Sequence, residues 1–196
     1  AMTAPADEQL ARVLEALSAH LGARPDALRV DAVRRAASGL GPERVTELVP
    51  AAVVAETYLF RHPEQLRLGV AEALAAWTTS GRDRLRAWSA GCATGEEAWS
   101  LAAALTASLP AERVDVLGTD VVPAHLEAAR RGEYGRWSRR DVGALEWSAL
   151  EAGTDRVDVR LRGCARFAVH NLLDPPPGEG FDLIACRNVL VYMTDT

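Results

Sequence analysis

The sequence predicts an α/β fold entered through a small all-helical N-terminal region. Apolar residues recur at helical spacing from Asp7 to about Pro50, whereas short apolar runs alternate with helical stretches from Leu85 onward. Joining the first such run to the first such stretch is Trp-Ser-Ala-Gly-Cys-Ala-Thr-Gly-Glu-Glu-Ala-Trp, residues 88–99. Gly91 and Gly95 flank small Ala93 there, so a ligand can approach the backbone and the N–H groups opening the helix.

Taken in order, Leu10, Val13, Leu14 and Leu17 form one apolar stripe that Gly22 ends. Asp31 is placed to cap a second helix bearing Val33, Ala36 and Ala37, and a third is expected over Glu43 to Leu48. Thr57 and Arg61, four apart, can share one face of a turn or helix before Pro63 opens the next helix. Val114 to Gly118 reads as the second strand and ends at Thr119-Asp120, with a helix from Ala124 to Arg131 behind it. Val157 to Leu161 and Phe167 to Val169 alternate and suggest a hairpin around Gly163. Phe181 to Cys186 is apolar throughout and reads as a strand buried on both faces.

Composition narrows the chemistry. At 196 residues, 48% of them hydrophobic and 25% charged, the chain has an ordinary globular balance. Its formal charge of −5 gives no global reason to expect nucleic acid. All 22 basic residues are arginine, which removes a Walker P-loop and lysine Schiff-base chemistry. Cys92, Cys164 and Cys186 lack metal-ligand spacing, as do the four histidines, so no metal is expected. The three thiols suit a cytoplasmic protein, and no apolar run approaches the ~18 residues of a membrane span.

Glu96 and Glu97 sharpen the glycine loop. Acidic residues favour the first turn of any helix, but a pair here would repel a pyrophosphate and welcome a cation. Asp120, ending strand two, is the type of residue that accepts ribose hydroxyls, unless it only caps the following helix. With Asn188 after a later strand, these groups converge on one sheet edge. Adenosine bearing an amino-acid tail and a positive sulfur, S-adenosylmethionine, satisfies them together.

Five stretches then resemble the CheR family of chemotaxis-receptor methyltransferases: Glu-Thr-Tyr-Leu-Phe-Arg (56–61), residues 88–97, Gly-Thr-Asp (118–120), Asn171-Leu172 and Cys-Arg-Asn-Val-Leu-Val-Tyr (186–192). The resemblance implies a Rossmann-like class I methyltransferase sheet, incomplete at its C-terminus. It divides the chain into a helical domain (1–54), a segment packing over the cofactor (55–84) and the α/β domain (85–196). It also implies that S-adenosylmethionine esterifies glutamate side chains on the cytoplasmic domain of a chemoreceptor-like protein, leaving S-adenosylhomocysteine.

By the same resemblance Thr57 and Arg61 approach the methionine tail, Gly91 lies under the cofactor, and Glu96 or Glu97 faces its ammonium. Asp120 holds the ribose and Asn171 and Leu172 border the adenine. Arg187, Asn188 and Tyr192 line the side from which the methyl leaves, Arg187 and Tyr192 being the candidate catalytic residues. Ala55 stands where the family commonly has asparagine, and the sequence stops at Thr196. These departures lead us to expect weak methyl transfer and self-association through the last strand. The alternative function is a regulatory or docking module that binds the cofactor without turnover.

Overall fold

Every strand of the sheet is parallel to its neighbours, in the order β3 (Ala165–Val169), β2 (Val114–Asp120), β1 (Leu85–Ala90), β4 (Leu183–Ala185). The computed structural model describes residues 4–38, 40–140 and 148–194. Two compact units divide it: residues 55–170 with 175–187, and residues 1–54 with 171–174 and 188–196. No helix among the described residues is long and apolar enough to cross a membrane.

In the larger unit, β1 (Leu85–Ala90) leads through α5 (Glu96–Thr106) to β2 (Val114–Asp120), and through α6 (Pro123–Arg131) to β3 (Ala165–Val169). β4 (Leu183–Ala185) then pairs on the other side of β1. The strand order therefore reverses between β1 and β4, and ligands of open α/β sheets lodge outside the carboxyl ends of the strands at such a point. α5 explains why the core forms here. From Ala98 to Leu105 every residue is buried, because the helix packs on the sheet while α4 (Pro63–Ser80) also packs against it. Leu101 and Leu105 are fully buried, each contributing about 1.5–3 kcal/mol in transfer free energy.

Four local expectations are corrected. Residues 157–169 form no hairpin: Val159–Leu161 is a 3-10 turn and β3 runs parallel to β2. β4 is shorter than residues 181–186 and, among the described residues, pairs only with β1, leaving Ile184 55% exposed, so it is not buried on both faces. Residues 55–58 belong to no helix and a turn follows at 59–60, so Thr57 and Arg61 share no helical face. The turn that follows sets Phe60 and His62 at positive φ.

The smaller unit packs α1 (Ala4–Leu21), α2 (Val30–Ala36) and α3 (Val45–Ala52) together, burying Leu10, Val13, Leu17, Val33 and Leu48. The fourth correction lies here: α2 begins after Arg29, so Asp31 sits in its first turn, and α3 reaches Ala52. Later chain completes this unit. The Arg24 N–H donates to the Tyr192 carbonyl at 2.9 Å, and the Thr194 N–H to that of Gly22 at 2.8 Å.

Candidate functional site

At the carboxyl ends of β1 and β2 the chain turns through Gly91, Ala93 and Gly95, all at positive φ. Ala93 is the costly one, since its Cβ opposes that conformation by roughly 1–2 kcal/mol. Asp120 holds it there: Oδ2 accepts the Ala93 N–H at 2.9 Å, and the Cys92 N–H donates to the Thr119 carbonyl at 2.8 Å. Asp120 Oδ1 also accepts the Val122 N–H at 2.9 Å and lies 3.2 Å from His125 Nδ1. It thus caps the turn into α6 as well as bracing the loop. Three contacts leave about one of a carboxylate's roughly four acceptor positions for a ligand.

Gly95 answers to packing. A Cβ there would stand 2.5 Å from the Ala129 Cβ and 3.0 Å from its Cα, so α6 crosses directly over this residue.

The two glutamates behind the loop diverge. Glu96 is 2% exposed, and its carboxylate accepts from the Thr94 hydroxyl at 2.7 Å and the Ser138 hydroxyl at 2.8 Å. It latches residues 136–139 to the start of α5. Glu97 accepts from the Ser89 hydroxyl at 2.8 Å and from Arg187 Nε at 2.7 Å, both ion-pair partners being largely buried. Arg187 thus sets a cation of the protein against Glu97. Arg187 Nη1 also donates to the Arg61 carbonyl at 2.6 Å, tying the end of β4 to the segment 56–61.

Arg61 itself bonds the Glu56 carbonyl at 3.0 Å through Nη1, while its Nε is buried without a partner among the described residues. Thr57 is half-buried. The Tyr134 hydroxyl donates to the Thr94 carbonyl at 2.7 Å, and burial, reinforced by Glu96, raises its ionisation well above the ordinary range. Burial likewise pushes the Cys92 thiol well up, with the Asp120 and Glu97 charges adding to it.

The larger unit therefore brings together Arg61, Gly91, Glu97, Asp120 and Arg187. Asn171, Leu172, Asn188 and Tyr192 belong to the smaller one. There the Asn171 amide donates to the His20 carbonyl at 2.7 Å and its Oδ1 accepts the Leu173 N–H at 3.1 Å. Asn188 has φ of 58° and Tyr192 closes a 3-10 turn. Sequence reasoning missed Ser89, Ser138 and His125. Only Ser89, adjoining the glycine loop, carried any signal.

Fold and loop together define a Rossmann-like unit of the methyltransferase type. The residues present are compatible with S-adenosylmethionine: Asp120 keeps an acceptor position open at a strand end, and Arg61 has a buried Nε without a partner and no ion pair among the described residues. Residues 55–196 match the family model described as the CheR methyltransferase, SAM binding domain. The chain is 40% identical over 116 residues to a chemotaxis protein methyltransferase of Listeria innocua, covering 58% of this chain and 44% of that protein. It is 36% identical over 160 residues to the probable biofilm formation methyltransferase WspC of Pseudomonas aeruginosa, covering 77% and 38%. With chemotaxis protein methyltransferase 1 of that organism it is 34% identical over 128 residues, covering 59% and 46%. The chain belongs to the CheR methyltransferase family, whose cofactor is S-adenosylmethionine. It spans less than half the length of these relatives.

Proposed function

We propose that this chain carries the cofactor-binding part of a methyltransferase that esterifies glutamate side chains on the cytoplasmic domain of a chemoreceptor-like protein. The observation that supports it most is the positive-φ loop held by Asp120 beside the Glu97–Arg187 pair, at the strand-order reversal. Bound S-adenosylmethionine would supply an electrophilic methyl group on its positive sulfur, the sulfur keeping the electron pair of the bond that breaks as a carboxylate oxygen of the acceptor takes the methyl. That acceptor is ionised at neutral pH and needs no general base.

The protein's work is therefore alignment and exclusion of water. Arg61 is suited to the methionine carboxylate, Asp120 to a ribose hydroxyl through its remaining acceptor position, and Gly91 to close approach. Arg187, fixed by Glu97, presents a cation beside the acceptor side of the site. The resemblance assigns adenine contacts to Asn171 and Leu172 and methyl-side positions to Asn188 and Tyr192. We propose these roles as well.

Calorimetric titration with S-adenosylmethionine and S-adenosylhomocysteine tests the first half. Transfer of labelled methyl onto receptor fragments, released by mild base as an ester must be, tests the second. Saturable binding of both nucleosides with base-labile labelling is the expected result. Binding of NAD in their place would overturn the reading, and binding without any transfer would favour a docking module.

A further inference from the structure

Between residues 130 and 140 the sequence carries five arginines and one glutamate, in a chain whose formal charge is −5. Most of this basic run is built onto the edge of the site in the larger unit. Ser138 bonds Glu96 at the start of α5, and the Ser138 carbonyl accepts the Leu59 N–H at 2.8 Å, clipping residues 136–139 to the segment 56–61. Arg140 lies over the Tyr58 ring at 3.7 Å and over the Trp137 ring at 4.0 Å, and pairs with Glu56 at 3.3 Å. It holds the two aromatic residues together. Arg139 pairs with Asp155 at 2.8 Å, yet its Nε is buried without a partner among the described residues. Arg136 is exposed and makes no ion pair among the described residues, and Trp137 beside it is 65% exposed.

We propose that this arginine–tryptophan edge, residues 136–140 with Tyr58, is a docking surface for an acidic polypeptide segment flanking the methyl-accepting glutamate. The proposal rests on the function argued above. Arg136 is a guanidinium with its donors in solvent, which suits carboxylates through forked, charge-assisted bonds. Trp137, held by Arg140, offers a rigid apolar wall for the stems of the glutamates. The overall negative charge repels a nucleic acid backbone, while Arg136, exposed and without an ion pair among the described residues, attracts an acidic segment to the edge. The surface adjoins the Arg61 and Glu96 positions, so a docked segment has its carboxylates beside the cofactor site.

The test uses the whole chain and a fluorescein-labelled peptide of alternating glutamate and alanine, followed by anisotropy at several salt concentrations. A matched glutamine peptide and a thymidine oligonucleotide serve as comparisons, and S-adenosylmethionine affinity is measured by calorimetry in each variant. The glutamate peptide should bind with a steep salt dependence and the glutamine peptide should not. Arg136→Glu and Trp137→Ala should each weaken peptide binding about tenfold without altering cofactor affinity. Unchanged peptide binding in both variants would overturn the proposal, as would equal binding of the glutamine peptide. So would tighter binding of the oligonucleotide that the same variants abolish, which would point to nucleic acid. Failure of the parent chain to bind S-adenosylmethionine would instead overturn the function on which the proposal rests.

Discussion

Glu97 and Arg187 lie 90 residues apart in sequence, yet the 2.7 Å bond between them is among the least exposed ion pairs in the larger unit. Removing one partner strands a charge in a mostly buried place, whereas replacing both removes the problem. Glu97→Gln should therefore cost about 3 kcal/mol in thermal or urea unfolding, and adding Arg187→Met should recover part of it. Additive losses in that double-mutant cycle would mean that the two residues act independently. Asp120 is a different case, since its bonds serve the loop before any ligand arrives. Asp120→Ala should lower stability by about 2 kcal/mol, or some 4–8 °C in melting temperature, as well as weaken S-adenosylmethionine. Loss of affinity with an unchanged melting temperature would show that the loop keeps its shape without the carboxylate.

Among the elements, the crossing of α6 over the start of α5 has the least room. Gly95→Ala would combine a positive φ of 93° with a Cβ 2.5 Å from that of Ala129. We expect a loss of about 3 kcal/mol or more. Gly81 has φ of 69° but open space around it, so Gly81→Ala should lose only about 1 kcal/mol. Equal losses in thermal melts would mean that α6 shifts to make room. This level is also where the sequence was most legible. The glycine loop, α5 and β2 declare themselves through local periodicity, because their signals lie within a few residues. The hairpin expectation failed because alternation around Gly163 looks the same whether a strand pairs with its neighbour or with β2, 49 residues earlier. Candidate residues such as Arg187 could be named from motif, but not their partners. Nothing local to Ser138 or Glu96 announces a bond across 42 positions.

Over the whole molecule, buried acids shape the response to alkali: burial raises Cys164 and Cys186 as well, but Cys92 and Tyr134 most strongly. Both Cys92 and Tyr134 ionise well above their ordinary values, chiefly through burial. The folded chain keeps these protons where the unfolded chain releases them, above about pH 9–10. Their contribution is therefore complete below that range and is lost as pH rises toward the folded values. Melting temperature should fall between pH 8 and 10.5, and Tyr134→Phe should flatten the fall despite losing the bond to Thr94. An identical slope in that variant would assign alkaline sensitivity elsewhere. A second expectation concerns the smaller unit, where His20 of α1 and the turn 22–24 after it bond residues 171, 192 and 194. A fragment of residues 1–54 should show reduced helicity by circular dichroism and broad, non-cooperative melting, and a sharp transition like that of the parent chain would contradict this.

The route of the chain through the two units bears on inheritance. It passes between them four times, near residues 54, 170, 174 and 187. A genetic exchange that replaced only the first 54 codons would import helices shaped for another lineage's returning segments. Asn171 bonding the His20 carbonyl and Tyr192 accepting from Arg24 are the joints at which such a graft would fail. Successful chimaeras should therefore carry residues 171–174 and 188–194 from the same parent as their N-terminal helices, so that the unit travels as three pieces of text or not at all.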